Sequence, residues 1–189
     1  MAIDFSFPHE IERVRHQVQR VCAEVVRPAE AKIAEAEDTD DARKVLVEQV
    51  IHMRKAALEW GLWLPHMPEE WGGMGRGHVA MAAVSAEAAK TRFGPFALNA
   101  QAPDEGNMHT LLHWASDDQK ERYLKPLCQG KARSCFAMTE PEVAGSDPTL
   151  IQTKAVERDD HWEIDGPKWL ISGAKAAEFA ILIDRTEDE

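Results

Sequence analysis

Hydrophobic residues recur every three or four positions through the first two thirds of the chain, a spacing that predicts amphipathic helices. The first helix is marked by apolar residues at five such positions, Ile11, Val14, Val18, Val21 and Val25. We expect Ser6 to cap this helix and Pro28 to interrupt it. A second helix is predicted from about Asp41 to Trp60, and Gly61 stands where a helix C-cap is expected.

Three further helices are predicted beyond the proline- and glycine-rich loop at residues 64–77. An alanine-rich helix covers roughly residues 78–91, and a short one covers roughly residues 105–114. Ser116 and Gln119 have the spacing of a capping box, so another helix is expected to begin there and to run to about Leu127.

The pattern changes after Gly130, where short β-prone runs alternate with turn residues. The runs cover residues 133–139, 151–156, 162–164, 169–171 and 179–183. Helices followed by clustered strands predict a mainly α protein with a small β part, divided into a helical domain (residues 1–132) and a strand-rich domain (residues 133–189). The second is short for an independent core, so we expect it to be incomplete.

Composition narrows the classes of function. The chain has 22 Lys and Arg against 33 Asp and Glu, a net charge of −11, which argues against nucleic acid and anionic membrane as partners. No apolar run approaches the ~18 residues of a membrane span, and no signal peptide is evident, so a cytoplasmic protein is expected. Cys22, Cys128 and Cys135 lack metal or disulfide spacing and are expected to be buried and reduced.

The stretch FAMTEPEVAGSD at residues 136–147 is the strongest candidate for a binding site. It is predicted to be a strand that opens into a loop, in which Pro141 limits backbone freedom and Gly145 permits close approach. Such a loop can hold a flat polar ring at the strand end and a phosphate or amide chain along its length. An ordinary strand-to-loop exit remains the alternative.

This stretch resembles the flavin-binding signature of the acyl-CoA dehydrogenases, which has a strand, Thr-Glu-Pro, small residues and then Gly-Ser-Asp. A second match, DGPKWLISG, stands at residues 165–173, and the segments at 153–155 and 162–166 fit the hairpin of that family. The helical part is also similar, at residues 69–73, 106–108, 116–120 and 124–127. The resemblance implies an N-terminal helical domain followed by the first strands of a β-barrel-like middle domain.

The resemblance also implies an FAD site with these flavin contacts: Phe136, Met138, Thr139, Leu170, Ile171 and Ser172. Thr139 would offer its hydroxyl or amide to the pyrimidine side of the ring, and the Ser172 hydroxyl would approach flavin N5. Ser146 would contact the CoA part of the substrate. No metal site is predicted, because His109 and His113, although four residues apart, lack an evident third ligand.

One position departs from the family pattern. The family often has Trp two residues before the residue at Ser172, where this chain has Leu170, with Trp169 just before it. Leu170 can cover a ring face but lacks an aromatic stacking contribution of ~0.5–1.5 kcal/mol.

The resemblance implies a role in the oxidation of acyl-CoA to 2,3-enoyl-CoA, a step of fatty acid metabolism. In the intact family a glutamate of a C-terminal helical domain removes the α-proton, electrons pass to an electron-transferring flavoprotein, and the enzymes are homo-oligomers. We therefore assign no catalytic residue here and expect the 189-residue chain to bind FAD and acyl-CoA without being active alone. The alternatives are a non-catalytic binding or assembly module that needs a separate C-terminal partner, and a related flavin oxidase or monooxygenase.

Overall fold

The computed structural model describes residues 6–145 and 147–186, and their packing forms two compact units that divide between Glu105 and Gly106. The first unit contains the helices α1 (His9–Val21), α2 (Arg27–Ala36), α3 (Ala42–Glu59), α4 (His78–Ala88) and α5 (Gly94–Ala97). A 3₁₀ helix at Glu69–Trp71 lies in the loop between α3 and α4.

The core of the first unit lies between α1 and α4 and between α2 and α3. Val14, Val18 and Val21 are buried on α1, and Met53 and Ala57 are buried on α3. Each fully buried side chain of valine or methionine size contributes ~1.5–3 kcal/mol, so these faces hold the helices together. The helical periodicity predicted for both segments is confirmed.

The start of α1 differs from the prediction, which placed the cap at Ser6. The N-cap is Pro8, and its carbonyl oxygen accepts the amides of Ile11 at 2.9 Å and Glu12 at 3.1 Å. The fixed φ of proline suits this extended position, since Pro8 has φ −52° and ψ 145°. The C-cap of α3 is Trp60, one residue before the expected Gly61, and Gly61 follows it in the left-handed conformation, with a φ of 66°.

The prediction that Pro28 interrupts the first helix is wrong, because the helix widens before this residue and then continues. Residues Cys22–Val26 form a π-helical turn in which the Arg27 amide donates to the Cys22 carbonyl, five residues back. Pro28 then stands in the first turn of α2. Proline lacks an amide hydrogen and is tolerated in a first turn, so the wide turn lets the chain continue as a helix.

The second unit begins within α6 (Asp104–Trp114) and continues through α7 (Asp117–Gln119), a π-helical turn (Lys120–Leu124) and α8 (Lys125–Cys128). The predicted capping box is confirmed: the Gln119 amide donates to Ser116 Oγ at 3.3 Å, and the Ser116 amide donates to Gln119 Oε1 at 2.9 Å. Pro126 follows a π-helical turn, as Pro28 does.

The strands of the second unit are β1 (Ser134–Ala137), β2 (Lys154–Glu157), β3 (Trp162–Asp165), β4 (Phe179–Leu182) and β5 (Arg185–Thr186). Strand β1 pairs in parallel with β4, with Phe136 opposite Ile181. Strand β2 pairs antiparallel with β3, as the hairpin prediction required, and in parallel with β5. The molecule is therefore mainly α with a small β part.

The strand predicted at residues 169–171 is absent from the described residues. Leu170 has a φ of 51° and Gly173 a φ of 82°, both in the left-handed region that no strand contains. A 3₁₀ helix at Ala174–Ala176 follows directly. The apolar run that predicted a strand belongs instead to a turn.

Helix α6 is joined to strand β1 through a buried amide side chain. Asn107 Nδ2 donates to Ser134 Oγ at 2.9 Å and to the Cys135 carbonyl at 3.1 Å, and all three residues are at least 95% buried. This contact belongs to the second unit, so its boundary at residues 105 and 106 does not coincide with the change from helices to strands. The domain boundary at residues 132 and 133 stays a prediction.

The three cysteines are buried, as expected, and each carries a thiol rather than a disulfide. Burial raises the pKa of the Cys128 thiol to about 12. Among the described helices, we find none with the length and apolar character that crossing a membrane requires.

Candidate functional site

Strand β1 presents one large side chain outward. Cys135 and Ala137 are buried, at 5% and 7% exposure, whereas Phe136 between them is 37% exposed. This alternation follows from the two-residue period of a strand, because the neighbours of Phe136 face the interior. The predicted flavin contact Phe136 thus lies on the outer face of the strand.

The loop after β1 folds back on Thr139. A Cβ added to Gly145 would lie 2.7 Å from Thr139 Cγ2 and 3.1 Å from Thr139 Oγ1, distances that no side chain at residue 145 could accommodate without a shift. Glycine permits this approach without displacing the Thr139 side chain. Met138 and Thr139 are half-buried at the strand exit. In the described ranges, 6–145 and 147–186, neither the hydroxyl nor the amide of Thr139 has a hydrogen-bond partner.

The two segments singled out by the sequence lie side by side. The Trp169 amide donates to the Thr139 carbonyl at 3.1 Å, and Lys168 Nζ donates to the Met138 carbonyl at 3.1 Å. The structure therefore brings Met138 and Thr139 against the start of the segment that carries Leu170, Ile171 and Ser172.

The residues after Trp169 are largely exposed. Leu170 is 79% exposed, Ser172 is exposed, and Ile171 is half-buried with its carbonyl accepting the Ala174 amide at 3.2 Å. A leucine with φ of 51° is uncommon, and backbone strain of this kind costs ~1–3 kcal/mol and is concentrated at ligand sites. The predicted substrate contact Ser146 lies outside the described residues.

A buried ion pair stands directly behind these segments. Lys168 Nζ lies 2.8 Å from Glu140 Oε1, and the two side chains are only 10% and 2% exposed. The carboxylate also accepts the Gln152 amide at 2.8 Å and the Thr153 amide at 2.9 Å. The bond from Lys168, together with those from residues 152 and 153, lowers the pKa of Glu140 to about 2.

A second close approach fixes the turn that leads to Lys168. Gly166 has a φ of 145°, and a Cβ there would lie 2.6 Å from Thr153 Oγ1 and 2.7 Å from Thr153 Cα. Any side chain at residue 166 would push β3 away from the start of β2. Gly166 thus allows the chain to turn close to Thr153, so that Lys168 lies within contact of Glu140.

Sequence reasoning missed this pair. Glu140 and Lys168 are each inside a recognised stretch, and Lys168 directly precedes the residues predicted to contact flavin. The available signal was weak, because Lys168 is the one basic residue of its segment but Glu140 is one of three acidic residues in the other, with Glu142 and Asp147. The two residues are 28 positions apart, and periodicity does not reveal contacts between residues so far apart in sequence.

Two family models match the chain. "Acyl-CoA dehydrogenase, N-terminal domain" matches residues 8–131, and "Acyl-CoA dehydrogenase, middle domain" matches residues 135–189. Among curated relatives, acyl-CoA dehydrogenase family member 11 of Homo sapiens is 35% identical over 185 residues. The alignment covers 94% of this chain and 23% of the relative, so the chain spans about a quarter of that protein's length.

Solved structures give the same result for the fold. A Mycobacterium abscessus protein assigned as an acyl-CoA dehydrogenase superimposes with a TM-score of 0.88 at 29% identity, covering 98% of this chain and 48% of that one. A glutaryl-CoA dehydrogenase from Mycobacterium smegmatis in complex with FADH2 superimposes with a TM-score of 0.69 at 19% identity. That alignment covers 96% of this chain and 44% of the solved chain, and it bears on the fold alone.

Proposed function

This chain belongs to the acyl-CoA dehydrogenase family, and from that premise we propose that its second unit forms one wall of a site for FAD and an acyl-CoA thioester. The observation that carries the proposal is a pair of hydrogen bonds, from the Lys168 side chain to the Met138 carbonyl and from the Trp169 amide to the Thr139 carbonyl. They hold together the two stretches that carry the predicted contacts. Membership of the family supports the choice of flavin, and a glutaryl-CoA dehydrogenase of the same fold has been solved with FADH2.

The described residues fit a flavin in three respects. Phe136 and Leu170 offer exposed apolar surface for a ring face. Thr139 offers an amide and a hydroxyl that have no partner in the part of the chain that the structure describes. The Ser172 hydroxyl is exposed beyond Leu170. We assign Phe136 and Met138 to the ring, Thr139 to its pyrimidine side and Ser172 to the side of N5.

The chemistry divides between the cofactor and the chain. When bound, FAD supplies an acceptor for a hydride from the acyl-CoA. The chain orients the ring and excludes water from one of its faces, and hydrogen bonds from Thr139 and Ser172 would tune its electron affinity. None of these residues is assigned to removal of the substrate α-proton, and we assign Ser146 to the CoA part of the thioester.

The proposal is tested by titrating the ¹⁵N-labelled 189-residue chain with FAD and following backbone amide resonances. We expect saturable shifts confined to residues 136–139 and 168–173. Thr139→Val keeps the side-chain shape but removes the hydroxyl, so it should weaken binding by roughly 2- to 12-fold, the range of one net hydrogen bond. Thr110→Val removes an exposed hydroxyl of α6 and is the matched control, for which no change is expected.

The absence of saturable shifts at millimolar FAD would overturn the proposal. Shifts at residues outside both segments, with residues 136–139 and 168–173 unaffected, would also overturn it, because FAD would then occupy a different surface.

A further inference from the structure

The ammonium group of Lys168 joins three separate stretches of the second unit. It donates to the Met138 carbonyl at 3.1 Å, to Glu140 Oε1 at 2.8 Å and to the Ile183 carbonyl at 2.7 Å. A lysine ammonium has three donors, and here each has an acceptor. The stem of Lys168 is therefore fixed by the exit of β1 on one side and by the end of β4 on the other.

The carboxylate of Glu140 extends the same network to a fourth stretch. Oε1 accepts the Thr153 amide at 2.9 Å, and Oε2 accepts the Gln152 amide at 2.8 Å. Both amides directly precede β2. Five hydrogen bonds of these two side chains thus hold four pieces of backbone: residues 138–140, 152–153, 168 and 183.

Stability alone is a weak reason for this arrangement. Removing two charges from water costs several kcal/mol per ion, and well-packed apolar residues in place of a buried pair are often as stable or more so. Directional bonds to backbone acceptors have a different effect, because they fix where each segment lies. Here they fix the backbone at Met138, next to Thr139, and at Lys168, two residues before Leu170.

We propose that Glu140 and Lys168 are a positioning pair that holds the segments 138–139 and 169–172 in the relative placement a flavin requires. The effect on flavin binding rests on the proposed function. The placement of the two segments by Glu140 and Lys168 does not depend on it. Neither side chain is accessible enough to contact a ligand itself, so both act through the backbone of Met138 and Thr139 and through the turn at Leu170.

Whether the pair holds these segments in place is tested without flavin, by hydrogen–deuterium exchange of the 189-residue chain. In Lys168→Met, exchange should rise roughly 10- to 100-fold at the amides of Gln152, Thr153 and Trp169, which donate to Glu140 and to the Thr139 carbonyl; this is the range for loss of a hydrogen bond to a charged group. Exchange in α6 and α8 should not change. Lys125→Met is the matched control, because it breaks an exposed pair with Glu121 at 2.7 Å in the same unit. Unchanged exchange at the amides of Gln152, Thr153 and Trp169 would overturn the inference.

Whether the pair matters for flavin binding is tested by comparing the FAD affinity of Lys168→Met with that of a variant destabilised elsewhere in the same unit. Lys168→Met should weaken FAD binding roughly 10- to 100-fold. Leu124→Ala truncates a fully buried residue of the same unit outside the network, and it should lower the melting temperature with little loss of affinity. Equal loss of affinity in both variants would overturn the inference, since the pair would then act only through overall stability.

The double variant Glu140→Gln/Lys168→Met separates the two effects further. It leaves no buried charge, so thermal stability should recover relative to Lys168→Met, whereas FAD affinity should stay low. Recovery of affinity together with stability would overturn the inference. Failure of the unsubstituted chain to bind FAD counts against the proposed function only, and hydrogen exchange then decides the role of the pair.

Discussion

Leu170 provides the sharpest test of the proposed flavin contacts, because its side chain is large, apolar and 79% exposed. Full burial of a leucine side chain contributes ~1.5–3 kcal/mol, and about four fifths of that surface remains to be covered. A flavin ring lying on Leu170 would therefore gain about 1–2 kcal/mol from it. The variant Leu170→Ala should raise the Kd for FAD roughly 5- to 30-fold.

The same variant should leave the folded chain almost as stable as before. Removing a mostly solvated side chain changes stability by no more than about 0.5 kcal/mol. Alanine keeps the left-handed backbone strain at φ 51°, whereas glycine relieves it. Relief of this strain stabilises Leu170→Gly by about 1–2 kcal/mol, and the greater backbone freedom of glycine in the unfolded chain costs about 0.5–1 kcal/mol. Leu170→Gly should therefore be more stable than Leu170→Ala by up to about 1.5 kcal/mol.

The assay is FAD titration followed by quenching of flavin fluorescence, with thermal unfolding measured on the same samples. Leu170→Trp should bind more tightly than Leu170→Ala, because stacking adds ~0.5–1.5 kcal/mol beyond area. Leu150→Ala truncates another exposed leucine of the second unit, 46% exposed, and should leave affinity unchanged. An unchanged Kd for Leu170→Ala, in a chain that binds FAD, would refute the assignment of Leu170 to the ring face.

Three further outcomes are expected. The pKa of Glu140 is lowered from 4.5 to about 2, so its stabilising effect is complete above about pH 4.5 and is lost as pH falls towards about 2; acid denaturation should show this dependence, and Glu140→Gln should flatten it. Gly145→Ala should destabilise the loop through its clash with Thr139 Cγ2, and Thr139→Ser, which removes that methyl group, should restore part of the loss in melting temperature. Burial raises the pKa of Cys128 to about 12, so a thiol reagent at pH 8 should label it only after denaturant unfolds the chain.

The helical part follows from the sequence because its signals are local. Apolar spacing over residues 11–25 and the Ser116 capping box each depend on residues within a few turns of each other, and both predictions are confirmed. The error at Pro28 has a local cause of another kind. Proline removes one amide hydrogen, and a π-helical turn before it adjusts the backbone, an outcome that apolar spacing alone does not reveal.

The strand-rich part is harder to predict because its order depends on contacts far apart in sequence. Strand β1 pairs with β4, more than 40 residues later, and the turn at Leu170 is held by bonds to residues near 138. Residues 169–171 have strand propensity, but tertiary contacts override it. The family resemblance located both segments, whereas the Glu140–Lys168 network between them is evident only in the folded structure.

The two recognised stretches therefore contain residues of two physical kinds. Phe136 and Leu170 are apolar and exposed, and Leu170 also has a strained backbone. Both features are unfavourable in the free chain, and a ligand that covers these side chains would offset them. Glu140 and Lys168 are charged and buried, and apart from the bond between them their hydrogen bonds end on backbone groups. Substitutions of the first pair should change ligand affinity with little effect on melting temperature, whereas single substitutions of the second pair should change both. Substitutions of either pair would thus weaken flavin binding, the first by removing a ligand contact and the second by loosening the backbone. The melting temperature of the ligand-free chain distinguishes the two causes.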